Sequence, residues 1–433
     1  MSAKSVVLLL GATGFTGRLI AKYLYTHPDS ASFTLALGAR SKDRLDAVVS
    51  DLGLGSDVQL HVVDVGRPEQ IRAAVSSATV VINTVGPFWS WGTSIVEACV
   101  SHGVHYVDLT GETEYIKRIV TRSHYAATKT GAIIVPSCGF DSVPADITAY
   151  LSSKTLRDAA GGPVDIDTSV SAYVVKGGFS GGTIATVVQA IEKIPADERR
   201  IARIDYSLSP ARGIPSPRSP LVYRMFLPDT GKTLVGGFWF MRNTNRSLVQ
   251  RTWGLLETAA ALDTAQVHYG PAFKYDEFIV TAGPVRAVLM TLGLAIGLGA
   301  FLITPIRWLL KKLLPQSGEG PTEAAQKAGF MKVTNLTTSV ASPARPAPIQ
   351  VKTVMTGTGD PGYSLTAVLI SEAALSLVLA APGALPPLAR GGGVLTPATA
   401  MGDVLVERLV ATGRVTVESK VVVARPLEGK KTV

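Results

Sequence analysis

The glycines at 11, 14 and 17 are the residues whose spacing most directly specifies chemistry. The segment Gly11-Ala12-Thr13-Gly14-Phe15-Thr16-Gly17 follows an apolar run over residues 5–10 and opens a run with helical apolar spacing over 18–25. In such a loop the first glycine makes a tight turn and the second lets backbone approach a pyrophosphate. The third permits close packing of helix on strand. Backbone N–H groups around Thr13, Phe15 and Thr16 then face the phosphates, where the helix dipole favours negative charge. A second strand ends in Gly38-Ala39-Arg40-Ser41-Lys42. An NAD-selective site would place an Asp or Glu there. Arg40, with Ser41 and Lys42 close by, suits a ribose 2′-phosphate instead, so NADP(H) is expected ahead of NAD(H). Asp64 and Val65 end a third strand, where they contact adenine or merely cap the strand. Thr84, Val85, Gly86 and Pro87 end a fourth, where backbone should approach the ribose or nicotinamide.

Candidates for the reacting centre are fewer. Cys138 and Asp141 follow a strand that should end near the nicotinamide. An inert packed thiol is the expected state of Cys138, because apolar neighbours raise a thiol's pKa. Asp141 is a proton relay or a cap for a helix starting near Pro144. Tyr173 and Ser180 are hydroxyl candidates. The six histidines show no ligand spacing, with His102 and His105 divided by Gly103, so no metal is expected. No Ser-His-Asp order appears. Hydride transfer tolerates this scarcity, since it needs mainly orientation in a dry pocket.

These residues require elements to hold them. Strands are expected at 5–10, 33–38, 58–63, 80–82, 105–108 and 131–135. Helices are expected between them, at 18–25, 41–52, 69–76 and 94–102. Such alternation indicates an α/β, Rossmann-type doubly wound parallel sheet over 1–145. From 146 to 355 the pattern changes to that of an inserted α+β substrate domain, with antiparallel strands expected at 168–175 and 234–241. Residues 315–330 read as an exposed loop. A C-terminal unit, 356–433, should supply helices over 365–380 and 402–412 and a strand over 415–423.

Composition sets the outer limits. At 433 residues two domains are the prior, and 46% hydrophobic against 17% charged residues excludes disorder. A charge of +9 suits an anionic cofactor or lipid surface. Nucleic acid is excluded, because no basic stripe or nucleic-acid-binding motif is present. Two cysteines point to a reducing, intracellular setting. The six-residue apolar N-terminal run is too short for a secretory signal.

The chain resembles the saccharopine dehydrogenase-like oxidoreductases, a family with lipid-droplet-associated members and trans-acting enoyl reductases. The matching segments are GATGFTG (11–17), GAR (38–40), NTVGPF (83–88), YVDLTGE (106–112), PSCGFDSVPAD (136–146), GFSGGT (178–183), DPGY (360–363) and GGVLTPA (392–398). The resemblance implies an NADP-type Rossmann domain, an inserted substrate domain and a C-terminal helix packed back on the first domain. Saccharopine chemistry is not implied, since a dicarboxylate needs cations beside the nicotinamide, whereas NTVGPFWSWG and SCGFDSVP are apolar, aromatic and small.

Residues 287–306 carry no formal charge over twenty positions. Arg286 and Arg307 flank them, and Trp308, Lys311 and Lys312 follow. The length suffices to span a bilayer. Glycines 293, 297 and 299 with Pro305 suit a bent or interfacial insertion through 287–314 equally well. A buried helix at a domain or dimer interface is the alternative. The expectation is therefore an NAD(P)H-dependent oxidoreductase passing hydride to a hydrophobic small-molecule or carrier-linked acyl or enoyl substrate. It would work at a lipid droplet or membrane, or in the cytoplasm if 287–306 is buried. A catalytically silent nucleotide-binding lipid-droplet protein and an amino-acid dehydrogenase remain as alternatives, and a homodimer is open.

Overall fold

Residues 6–10 are all apolar and cannot alternate inward and outward, so both faces of that strand must be covered. In the computed structural model, which describes residues 4–177, 191–261, 267–313, 321–343, 345–381 and 383–422, they lie in β1 (Ser5–Leu10). Around it stand β2 (Phe33–Ala39), β3 (Gln59–Val62), β4 (Val80–Asn83), β5 (His105–Asp108) and β6 (Ile133–Val135). All pairings are parallel, in the order β6-β5-β4-β1-β2-β3. The ends of β1, β4 and β5 align as Leu10↔Asn83↔Asp108, which sets the three following loops side by side. The connecting helices are α1 (Phe15–Tyr25), α2 (Lys42–Leu52), α3 (Pro68–Val75), α4 (Phe88–His102) and α5 (Thr113–Thr130).

After α6 (Val143–Ala160) the chain builds a second sheet from β7 (Ile166–Lys176), β8 (Tyr223–Leu227), β9 (Lys232–Gly237), β10 (Lys274–Val280), β11 (Phe330–Ser339) and β12 (Gln350–Thr358). Only β7 and β10 pair in parallel; the other pairings are antiparallel. This is the mixed sheet of the expected α/β architecture. Helices α6 and α7 (Arg242–Ala260) cover one face. Two helices then leave that sheet, α8 (Pro284–Leu302) and α9 (Thr304–Leu313).

The last segments return to both sheets. The strand Gly393–Val394 (β13) adds to the edge of β6, and β14 (Val415–Val421) adds to β12. Before β13, α10 (Thr366–Leu379) packs on α1, β4 and β5, and between β13 and β14, α11 (Gly402–Ala411) packs on α10. Buried Glu372 on α10 ties the pieces together. It accepts hydrogen bonds from Tyr23 (2.6 Å) and Arg408 (2.8 Å) and lies 2.9 Å from His27 Nε2.

Several expectations are corrected. The strand expected over 234–241 ends at Gly237, where a Cβ would sit 2.7 Å from the Ala287 carbonyl and 2.8 Å from Thr291 Oγ1. The following Trp239 and Phe240 lead into α7 instead. Helix α4 begins at Phe88, six residues before the expected start. Residues 315–330 are not all loop, since they include a helical turn at Glu323–Lys327 and the first residue of β11. Within the chain's own fold the segment 287–306 is not buried: Ile296 is 73%, Leu302 66% and Leu289 64% exposed, and only Ala287 of α8 is buried. The comparably apolar Pro361–Leu379 is core.

Candidate functional site

The loop after β1 is shaped by close approaches that only glycine permits. Gly11 has φ +87°, and a Cβ there would lie 2.5 Å from Thr84 Oγ1. At Gly17 a Cβ would lie 2.2 Å from the Gly11 carbonyl oxygen. Gly11 N–H donates to the Gly38 carbonyl (2.9 Å), and the Thr84 hydroxyl donates to the Leu10 carbonyl (2.9 Å). Thus the ends of β1, β2 and β4 are locked together. Helix α1 starts beyond Gly14 with no side-chain cap, so the first-turn N–H groups of Phe15, Thr16 and Gly17 lack partners among the described residues. An anion fits there. Phe15 is braced edge-on by Tyr363, 5.3 Å away.

Arg40 is exposed and makes no ion pair or hydrogen bond among the described residues, leaving its guanidinium available to a phosphate. Ser41 caps α2 by accepting from Arg44 N–H (3.3 Å), and Lys42 is tied to Asp46 (2.8 Å). Asp64 shapes its own turn: Oδ1 accepts from Gly66 N–H (2.9 Å), while Asp64 N–H donates to Gln70 (2.8 Å). Half-buried Val65 lies in that turn, and Val85 N–H donates to Asn83 Oδ1 (2.9 Å) just before Gly86-Pro87. The loop and the partnerless arginine fit a dinucleotide with a ribose 2′-phosphate.

The end of β5 and the loop after it carry two buried acids that sequence reasoning did not single out. Asp108 Oδ1 accepts from Ser137 N–H (2.9 Å) and Thr110 N–H (3.0 Å), and Oδ2 from the Tyr106 hydroxyl (2.8 Å). Burial pushes its carboxyl up to about 6, against those hydrogen bonds. Glu112 accepts from the backbone N–H groups of Phe88 (2.8 Å) and Trp89 (2.7 Å), and burial pushes its carboxyl up to about 7. This long-range cap explains the early start of α4. Ser137 is held at φ +63° by Asp108 and by its own hydroxyl on the Thr110 carbonyl (2.7 Å). The turn that carries Cys138 and Asp141 is therefore rigidly fixed.

Cys138 is fully buried, its thiol donates to the Val135 carbonyl (3.3 Å), and burial pushes that thiol well above its ordinary value. Asp141 does not cap α6; Ser142 occupies the cap position, without a side-chain capping bond. Its carboxylate instead points past Gly111, where a Cβ would lie 3.6 Å from Oδ2 and 3.2 Å from Met241. Burial alone pushes Asp141 up to about 6, and no ion pair or hydrogen bond engages it among the described residues.

Over this turn lies an aromatic roof. The ring of Phe140 meets Tyr173 and Trp239 at 6.4 Å, and Tyr173 stacks on Trp239 at 5.7 Å. Behind it, Ser142 donates to Asn245 (2.9 Å), while Asn245 and Tyr275 each donate to buried Glu277 at 2.8 Å. Burial pushes Glu277 up to about 8. The Tyr173 hydroxyl lacks a hydrogen-bond partner among the described residues, and burial and the Glu277 charge raise its pKa further. Sequence signals for Glu277 and Asn245 were absent, because both stand in polar runs. Ser180 lies outside the described residues. Among the described residues no three His, Cys, Asp or Glu side chains gather as a metal site.

Comparison with known proteins fits this geometry. Residues 7–135 match the model of the saccharopine dehydrogenase NADP binding domain. A Mycobacterium tuberculosis protein with a provisional trans-acting enoyl reductase name is 36% identical, covering 94% of this chain and 96% of its own length. A Mycobacterium bovis trans-acting enoyl reductase is 33% identical with the same coverage. Among solved structures, saccharopine dehydrogenase (L-Glu forming) from Saccharomyces cerevisiae aligns with TM-score 0.50 at 12% identity, over 97% of this chain and 100% of that one, a likeness of fold. The chain belongs to the saccharopine dehydrogenase-like oxidoreductases, and its first domain is an NADP-binding domain.

Proposed function

We propose that this chain is an NADPH-dependent reductase of a hydrophobic acyl or enoyl thioester, free or carrier-linked, acting at an intracellular lipid droplet or membrane surface. The observation that carries the reading is the character of the site: an aromatic roof of Phe140, Tyr173 and Trp239 over the Asp141 carboxyl, which no ion pair engages among the described residues. Such a pocket suits an apolar chain and disfavours a dicarboxylate. The relatives' enoyl reductase names support the same class.

In this reading the N–H groups that open α1 bind the pyrophosphate, and Arg40 binds the 2′-phosphate. Bound NADPH supplies the hydride that the β-carbon of the enoyl thioester accepts. Asp141, whose acid form burial favours up to about pH 6, delivers its proton to the α-carbon and regains one from solvent. Phe140, Tyr173 and Trp239 exclude water from the reacting carbons.

Helix α8 supports the surface location. It is rooted on β9 by a hydrogen bond from Phe238 N–H to the Thr291 hydroxyl (3.0 Å) and then runs exposed, with Leu289 64% and Ile296 73% accessible. Arg307 binds Glu192 (3.0 Å) and the Phe301 carbonyl (2.7 Å), which fixes α9 beside it, with Trp308 61% exposed. The side chains of 309–313, including the two lysines, lie outside the described residues. Apolar residues flanked by cations suit an anionic interface.

The test is NADPH oxidation with medium- and long-chain enoyl-CoA, run beside flotation with phosphatidylglycerol vesicles. Turnover is expected on the enoyl substrates, with flotation lost in Leu289→Glu/Ile296→Glu. NADPH binding without turnover across that panel would overturn the reductase reading. Equal flotation of the variant would overturn the surface reading.

A further inference from the structure

Lys117 near the start of α5 and the segment 201–212 line an open cleft of about 270 Å3. Lys117, Ser207, Ser209 and Arg212 line it, together with Asp205 and Tyr206. Lys117 stands one turn inside α5, which starts beyond the end of β5. The first residue of α5, Thr113, donates from its hydroxyl to that of Thr244 (3.1 Å). The cleft therefore opens on the same edge of the parallel sheet as the glycine loop. It is separated from Arg40, which follows β2, by β1 and β4.

Its charges do not balance. Half-buried Lys117 and exposed Arg212 make no ion pair or hydrogen bond among the described residues. Behind the wall, Arg246 pairs with Asp205 (3.0 Å) and keeps its Nε without a partner. Arg251 is 2% exposed and donates to the carbonyls of Leu208 and Val394, with His124 Nδ1 at 3.3 Å. Among the described residues it has no carboxylate partner, and its Nε is also unpaired. Leu208 sits between the two lining serines, so this guanidinium lies directly under the cleft wall. Burial and the Arg251 charge hold Lys117 below its ordinary value. The acids in reach are already engaged: Asp205 by Arg246, and Glu114 by the charges of Arg203 and Arg199. A buried cation left uncompensated is costly, and an anion in the cleft offsets that cost. Donors are ready for one. Lys117 and Arg212 line the cleft together with Ser209, whose hydroxyl oxygen accepts from Ala211 N–H (3.2 Å). Several donors from different directions suit a tetrahedral anion.

We propose that this cleft holds a phosphate ester of the substrate's thioester handle, of the kind coenzyme A carries. The inference rests on the reading of the chain as a reductase of acyl thioesters, and it assigns Lys117, Ser209 and Arg212 as the residues that grip the handle while the acyl chain reaches the roofed site.

The experiment titrates coenzyme A by calorimetry into the full chain saturated with NADPH. Coenzyme A is expected to bind the wild type and to lose about tenfold or more in affinity in Lys117→Gln/Arg212→Gln. Unchanged NADPH affinity in that variant reports an intact fold. Equal affinity in both proteins, or no binding to the wild type, overturns the proposal. Excess inorganic phosphate should compete with coenzyme A, and failure to compete overturns phosphate as the group held. In turnover, the variant should raise KM about tenfold for an enoyl-CoA and leave it unchanged for the N-acetylcysteamine thioester, which lacks phosphate. The titration needs no chemistry, so a protein that binds coenzyme A but reduces nothing retains the cleft and loses only the reductase reading.

Discussion

The two sheets solve different problems with different parts of the chain. In the parallel sheet the central strands β1, β2 and β4 are largely apolar and buried, and polar groups gather where the strands end. What grips there is chiefly backbone: N–H groups released by a glycine loop and turns held by Asp108 and Glu112. In the mixed sheet the face under α6 and α7 is itself polar. Asn335 donates to Ser169 (2.9 Å) and Ser171 (3.0 Å), and Ser152 donates to Asn335 (2.7 Å), all buried beside Glu277. Backbone geometry suits a ligand of fixed shape such as a dinucleotide. A network of side chains fixes rotamers and positions, and every member must be satisfied. The first sheet is therefore built to bind, and the second to position what stands against it.

Breaking either side should give distinguishable results. The largest effect is expected at their meeting point. Asp141→Asn should lower kcat by about 100-fold with little change in NADPH affinity, and wild-type kcat should fall as pH rises through about 6, where the acid form is lost. A variant whose kcat is unchanged would remove Asp141 from the chemistry. Next comes the binding side. Gly17→Ala places a Cβ against the Gly11 carbonyl and should weaken NADPH by about 30-fold in calorimetry. Arg40→Gln should cost about tenfold in NADPH affinity and leave NADH unchanged, which an equal loss for both would refute. The smallest effect on turnover is expected in the positioning network. Glu277 holds its proton in the folded state up to about 8, above its ordinary 4.5. Between these values the unfolded chain has released a proton that the folded chain keeps, so stability falls as pH rises across that window and is level above it. Glu277→Gln should flatten this dependence in thermal unfolding, with kcat nearly unchanged.

The same contrast explains what was legible in the sequence. Continuous apolar runs revealed the parallel strands, and glycine spacing with Arg40 revealed the cofactor site, because those signals are local. Helix α7 left none. Its run RNTNRSLVQRTWGLLETAA shows no apolar stripe, yet nearly all of 242–256 is buried, because its polar groups meet partners from distant segments. Polar β11 was hidden for the same reason. Glu112 could not be read as a cap for a helix 24 residues upstream, and Trp239 carries strand propensity although it roofs the site. Sequence patterns disclose burial against apolar neighbours far better than burial against polar ones.

The position of β13 has a consequence for synthesis of the chain. Two residues near the far end, Gly393 and Val394, complete the edge of a sheet whose other strands are finished by Val135, and α10 covers β4 and β5. The nascent first domain emerges with that edge unpaired and that face bare, and it stays so while more than half of the protein is still being translated. Closure of the nucleotide domain is therefore a late, end-joining event. The bare surfaces are ones a chaperone would recognise in the interval.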